Sequence, residues 1–238
     1  MENRRSQIQN NRPCSIFNPR SSVFLVCRAF CILTSASFLS GCEVAGYVSH
    51  TIPRHVDAAY KGLATQSVIV MVWVDPGLKM DYPDLRLDIA SSLQDKLIDV
   101  ESNQKPDLLK GTVFPVRAST VIANQENHPE WDNESVTTTA AKFDGTRLIY
   151  LEIKDFSLHA GAPELYRCTL SGDLKVIEMK DGTAKVAFSE NEISVVYPKD
   201  SPKDGLPIGT DSTNTQGTVD AFTTEVAKRF YPHDEDRD

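Results

Sequence analysis

The sequence predicts an α/β domain of α+β character: a mixed sheet of four to five strands, with helices packed mainly on one face. Three stretches carry that expectation. Residues 67–74 form a continuous apolar run rich in β-branched side chains, the pattern of a strand buried on both faces. Leu85, Ile89, Leu93 and Leu97 recur every fourth residue, which makes the stripe of an amphipathic helix. Two alternating runs meet at Asp181-Gly182, a hairpin signal. A helix after the first strand and an antiparallel meander later together require a mixed sheet.

The chain begins with a segment that cannot join such a core. Residues 1–22 are polar, basic and rich in Asn and Ser, and read as an extended basic leader or as a stretch upstream of the true start. An apolar run follows from Val23 to Leu39, interrupted by Arg28. Its uncharged part, 29–39, is too short to span a bilayer, which takes about 20 apolar residues. A basic leader, a short apolar run and small residues at its end define a secretory signal.

The run closes on Leu39-Ser40-Gly41-Cys42, which resembles the lipobox of bacterial lipoproteins. That resemblance implies a diacylglyceryl group on the sulfur of Cys42 and cleavage between Gly41 and Cys42. It also implies an acylated new N-terminus carrying palmitate-type chains. Two or more such chains anchor a protein stably, at about 0.8 kcal/mol per buried CH₂. An uncleaved signal anchor and a coincidental cysteine after an ordinary signal are the rival readings. Glu43 follows the cysteine, where an Asp tends to retain lipoproteins at the inner membrane, so the resemblance leans towards the outer membrane.

The expected organisation is therefore a signal peptide over 1–41, a lipidated tether over 42–66, one α/β domain over 67–232 and a charged, frayed tail over 233–238. The tether carries His50 and His55 around Pro53, and this spacing is not that of a helical metal face. Within it, Val56 to Leu63 is expected to form a short helix or to pack on the domain edge.

In the domain, Asp75-Pro76-Gly77 reads as the turn that ends the first strand. The helix is expected over 82–101, capped by Asp81, with Asp84, Arg86, Asp88, Gln94 and Asp95 mostly off its apolar stripe. Residues 112–124, β-branched around Pro115, read as a weak or edge strand, and 135–143 as a short helix ended by Asp144-Gly145. Strands follow over 147–158 and 165–179. In the second, Tyr166, Cys168, Leu170, Leu174 and Val176 alternate with Arg167, Thr169, Ser171, Asp173 and Lys175. The last strand, 184–197, is expected to carry a bulge near Glu190-Asn191. Residues 198–217 read as a loop and 218–230 as a closing helix with Val219, Phe222, Val226 and Phe230 as its stripe.

Composition narrows the function. The chain is 40% hydrophobic and 24% charged, as globular domains are. Its net charge is −8, and residues 1–42 hold five arginines and one acid, so the remainder carries −12. Such a surface argues against nucleic acid, which needs clustered Lys and Arg. Of five cysteines only Cys42 and Cys168 would survive signal removal, so neither a disulfide framework nor a cysteine zinc site is expected.

No nucleophile elbow, phosphate-binding glycine loop or His-Glu-x-x-His is present. Neither enzyme activity nor a cofactor is expected. Glu130, Asp132 and Glu134 alternate, so an extended chain would place them on one side as weak candidates for a hard cation. The stretch lacks the glycine turn of a calcium loop, and a solvated loop with Trp131 folded onto the domain is the favoured reading. Cys168 lies on an apolar strand face with no base nearby in sequence, the setting of an inert buried thiol. His159 reads as a loop histidine.

The strand 67–74, the helix 82–101, the turn Ala140-Ala141-Lys142-Phe143-Asp144-Gly145 into strand 147–158, and the Asp181-Gly182 hairpin together resemble the soluble domains of several envelope lipoproteins. These are the curli secretion channel, the outer-membrane activators of penicillin-binding proteins and the N-terminal domain of the Tol-system propeller protein. The resemblance implies a lipid-anchored accessory or assembly factor that binds another envelope protein, with its domain in the periplasm. A periplasm-facing small-molecule or metal-binding lipoprotein, or an unfamiliar hydrolase, is the alternative.

Overall fold

The computed structural model describes residues 53–104, 106–128, 130–131, 134–180 and 183–235. Gly41 and Cys42 of the lipobox, His50, Asp132 and Asp181-Gly182 lie outside the described residues. His55 to Glu235 form one compact unit.

Strand β2, Val68–Val74, opens the main sheet at one edge and is buried on both faces. Val68, Val70, Val72 and Val74 face one hydrophobic cluster, while Ile69 and Met71 face a second on the opposite side. An unbroken apolar run is what two-sided burial demands. β2 pairs in parallel with β3, Arg147–His159, from Val68 opposite Arg147 to Val74 opposite Ile153. β3 pairs antiparallel with β4, Tyr166–Lys180, and β4 antiparallel with β5, Thr183–Tyr197. The order β2-β3-β4-β5 is the mixed sheet expected from sequence. Lys180 opposite Thr183 closes the hairpin around the Asp181-Gly182 connection. Between Gly172–Ile193 and Leu174–Glu190 β5 uses one residue more than β4, so the bulge falls at Asn191 and Glu192. Glu192 has φ of 60°, and its N–H is held by Asp173 Oδ1 at 3.0 Å.

The connection from β2 begins with α1, Pro76–Asp81. Sequence suggested only a turn there. The Asp75 carboxylate accepts the Gly77 N–H at 2.8 Å and Pro76 opens the helix, so the turn residues act as a cap and first turn. Helix α2, Leu85–Asp99, lies inside the expected 82–101 and runs on into a π-helical turn, Val100–Gln104. Leu85, Ile89, Leu93 and Leu97 are all fully buried against the sheet, each side chain contributing about 1.5–3 kcal/mol by removal from water. Arg86 and Gln94 are also buried, contrary to their expected place on the solvent side. α2 has a second packed face, turned to α3, Ala118–Asn127.

α3 replaces most of the strand expected over 112–124. Only Val113 behaves as a strand residue, bridging Ser67 in parallel. Beyond Pro115 the buried positions are Ala118, Val121, Ile122 and Gln125, a helical spacing, and the helix N-terminus is capped by the distant Gln94. α4, Val136–Ala141, matches the short helix expected before Asp144, which turns the chain with φ of 54°.

The closing helix α5, Asp211–Ala227, continues as a 3₁₀ turn, Lys228–Phe230. It starts seven residues before the predicted Thr218. The run Asp211-Ser-Thr-Asn-Thr-Gln-Gly217 has loop composition, but Thr210 Oγ1 accepts the Thr213 N–H and Asn214 is buried, donating to the Ile208 carbonyl at 3.1 Å. Cap and packing override weak propensity. α2 and α5 cover one face of the sheet. The second cluster, with Trp131, Val121 and Ala140, covers the other face over β2, β3 and the end of β4, where Ile177 and Met179 join it.

Both ends of the described stretch are built into the fold. β1, Arg54–Val56, and β6, His233–Glu235, form a two-stranded sheet. Ala58, Tyr60 and Leu63 are buried. Tyr60 donates its N–H to the Arg229 carbonyl at 2.9 Å and its ring meets Phe230 edge-on. The stretch read as the end of a tether thus packs on the domain edge, and the tail is paired through Glu235.

Candidate functional site

A groove of about 1040 Å³ runs along the seam of α2 and α5. Tyr82 lies at one end and Tyr231 at the other. The two helices are tied beneath it by Ser92 Oγ and Thr223 Oγ1, 2.8 Å apart, and by Lys96 Nζ donating to Asp220 Oδ1 at 2.6 Å. Leu85, Val100 and Val219 supply apolar floor, and Ser212, Thr215 and Gln216 part of the α5 wall.

The α2 wall is acidic. Asp84, Asp88, Asp95 and Asp99 all line the groove. At 100° per residue these positions fall within about 60° of one another on the helix, and they span about 22 Å along its axis. Asp88 is pushed above the ordinary carboxylate range by burial and then by the charge of Asp84.

The loop candidates are held by local partners. Glu130 Oε1 lies 3.1 Å from His128 Nδ1, and the Glu130 carboxyl is kept low by its own backbone N–H and by His128. Glu134 pairs with Lys142 at 3.3 Å. Glu130 and Trp131 occupy a helical turn rather than an extended chain. Among the described residues no three His, Cys, Asp or Glu side chains converge as metal ligands. Trp131 is folded inward, with the buried Arg86 guanidinium 5.7 Å from its ring centre and 3.2 Å from Glu126.

Cys168 is buried, its thiol donates to the Leu158 carbonyl at 3.3 Å, and burial pushes its pKa up. Such a thiol is protonated at neutral pH and a poor nucleophile. His159 stacks on Tyr166, with ring centres 4.8 Å apart, and its Nε2 is 3.9 Å from Asp211 Oδ1, which accepts the Tyr166 hydroxyl at 2.8 Å. That His–carboxylate separation exceeds a hydrogen bond. His55, in the expected tether, is exposed beside Asp234 at 3.0 Å.

No protein-family model and no characterised protein matches the sequence. Solved structures that align with this chain include two proteins, at TM-scores of 0.40 or below. Lipoprotein GNA1162 from Neisseria meningitidis aligns with a TM-score of 0.40 and 12% identity, over 68% of this chain and 97% of that one. Two structures of the PelC dodecamer from Paraburkholderia phytofirmans align over 76% of this chain. One, a point variant, gives a TM-score of 0.39 at 8% identity over 99% of its length, and the other 0.37 at 9% over 97%.

The groove was only half visible in sequence. The aspartates at 84, 88 and 95 marked a polar helix face, but residues 212–217, which build the opposing wall, read as loop.

Proposed function

We propose that this chain is a lipid-anchored cell-envelope lipoprotein whose non-catalytic α/β domain binds another envelope protein as an accessory or assembly factor. The observation that carries the reading is Leu39-Ser40-Gly41-Cys42 at the end of a short apolar run behind a basic leader. Acyl chains on Cys42 would hold the domain at a membrane, with the outer membrane favoured by Glu43. The packed unit begins at His55, so residues 43–54 are the spacer, reaching at most about 40 Å when fully extended. The domain would therefore meet partners close to the bilayer. A fold alone does not fix function; the α2–α5 groove is the surface that suits a partner.

The test is fractionation of cells expressing the wild type and Cys42→Ser, with metabolic labelling by a palmitate analogue. The wild type is expected in membranes, labelled and shortened by its first 41 residues. The variant should be unlabelled and uncleaved. Label retained by Cys42→Ser would refute lipidation at that cysteine.

A second reading, a small-molecule or hydrolytic site, draws on the His159–Asp211–Tyr166 cluster. It predicts that His159→Ala abolishes a measurable ligand-binding or ester-cleaving activity; unchanged activity removes it.

A further inference from the structure

The small sheet of β1 and β6 is held by more than its backbone. Each strand has three residues, and a two-stranded pair of that length is marginal by itself. His55 on β1 and Asp234 on β6 lie 3.0 Å apart, but their side chains are 66% and 67% exposed, where solvent and salt weaken such a pair. His233, also on β6, is different. Its side chain keeps only 9% of its surface exposed. Nε2 lies 3.2 Å from Glu235 Oε1, and Nδ1 lies 3.2 Å from the Tyr231 carbonyl oxygen.

Those two partners decide the charge of the ring. A carbonyl oxygen and an ionised carboxylate both accept and cannot donate. A neutral imidazole has one N–H, so it satisfies one partner and turns a lone pair towards the other. The imidazolium ion donates through both nitrogens, and it alone fits both contacts. Glu235 responds accordingly. Its carboxyl is held below the ordinary range first by the His233 hydrogen bond, against the opposing effect of burial, and then by the charges of His233, Lys228 and Arg229.

The surrounding charges are engaged elsewhere. At the end of α5, Lys228 pairs with Glu225 at 2.6 Å, and Arg229 with Glu190 at 3.0 Å and Glu225 at 3.8 Å. The Tyr231 ring stands edge-on to His233 at 6.0 Å, and burial raises its hydroxyl away from neutrality. Beside β1, Asp57 lies 3.8 Å from Lys61, and Arg54 precedes His55 in the chain. Histidine is the side chain among these that ordinarily changes charge between about pH 5 and 8.

We propose that β1–β6 is a proton-operated clasp, closed while His233 is an imidazolium between Glu235 and the Tyr231 carbonyl, and loosened when the ring loses its proton. The sign follows from the contacts. Bonds that exist only with the proton bound stabilise the closed form at low pH and are lost as pH rises through the histidine range. Proton loss leaves a buried lone pair facing an oxygen, which water relieves once the strands part. At the acid end, protonation of Glu235 weakens the clasp from the other side. Opening releases the chain as far as Ala58, which is buried, and Tyr60, whose N–H donates to the Arg229 carbonyl at 2.9 Å. On the lipid-anchor reading above, on which this consequence rests, His55, Val56 and Asp57 then join the spacer and add at most about 11 Å to its reach.

The test follows amide hydrogen exchange in the full-length protein in detergent micelles at about pH 5.5, 7 and 8.5, with labelling times scaled to the intrinsic exchange rate. Protection over residues 54–57 and 233–235 is expected to fall at least about fivefold across that range, while protection of β2 stays constant. His233→Phe keeps a ring and has no proton to give, so it should lose the protection at every pH and give a flat profile. Glu235→Gln, a milder change that keeps an acceptor, should shrink the response at least about twofold. Ring nitrogen spectra at about pH 7 should show both nitrogens of His233 protonated in the folded protein and mostly one in a peptide of residues 228–238. Cys42→Ser should reproduce the wild-type exchange profile, so a missing pH response counts against the clasp and not against the anchor.

Three results overturn the proposal: constant protection across the range, a singly protonated His233 ring in the folded protein at pH 7, or a response that survives His233→Phe and disappears in His55→Ala. The last would move the switch to the exposed pair.

Discussion

Gln94 and Ala118, 24 residues apart in sequence, are joined inside the protein: the Gln94 side-chain oxygen accepts the Ala118 N–H at 2.6 Å. The same side chain donates through Nε2 to the Val116 carbonyl at 3.0 Å. One buried amide on α2 therefore supplies the N-terminal cap that α3 lacks locally, since Arg117 makes no side-chain capping bond. Gln94→Leu would keep the volume and strand a buried N–H and C=O. An unmade buried hydrogen bond costs about 1–3 kcal/mol, so the expected loss is about 2–4 kcal/mol, read as a lower urea midpoint. A midpoint equal to wild type would show that α3 needs no help from α2.

Gly217, on α5, lies under the ring of Tyr197 on β5 so closely that a β-carbon there would collide with the ring. The atoms met are the outer end of the half-buried Tyr197 ring, which must shift for a methyl group to fit. Gly217→Ala should destabilise by about 1–3 kcal/mol, the usual cost of overpacking, despite alanine's better helix propensity. Adding Tyr197→Leu should recover part of that loss. A stabilised single variant would mean that the ring has room to shift.

Asp88 and Asp173 should respond to pH in opposite directions. The Asp173 carboxyl is held below its ordinary value by Lys154 and by the Glu192 N–H. Its contribution is present above the unfolded-state pKa and is lost as pH falls through the folded one. Asp173→Asn should be destabilised at pH 7, with the gap to wild type closing below about pH 4. Asp88 is raised, so its charge opposes folding at neutral pH. Asp88→Asn should melt higher than wild type at pH 7 in low salt, and that advantage should shrink as acid protonates the wild-type carboxyl. Parallel pH profiles for both variants would contradict both assignments.

Cys168 should resist modification. With its thiol buried and bonded to the Leu158 carbonyl, the peptide containing it should stay unlabelled by iodoacetamide in native protein and label fully in denaturant. Labelling within minutes under native conditions would show that β4 opens locally, or that the thiol is a reactive group after all.

The elements legible in sequence were those whose patterns depend on their own residues. The unbroken apolar run of β2 signals burial on two sides, the Leu85-to-Leu97 stripe specifies a helix, and the alternating runs on either side of Asp181-Gly182 specify the hairpin strands, with the bulge at Asn191 and Glu192 one residue from its expected place. The elements misread take their stability from elsewhere. α3 has β-branched residues at 120–122 and is capped by Gln94, a residue of another helix. The first two turns of α5 are made of Ser, Thr, Asn and Gly, and hold because Thr210 caps them and Asn214 is buried. β1 and β6 are three residues each and have meaning only as a pair. The groove inherits this limit, because its acidic wall follows from helical spacing and its second wall from a helix start that local propensity hides.

The pairing of β1 with β6 bears on how the domain can be handled and carried. His55 and Asp234 lie 3.0 Å apart across that pair, so the first and last residues of the packed unit are neighbours. Units with neighbouring ends can be grafted into a host loop or joined end to end with little distortion.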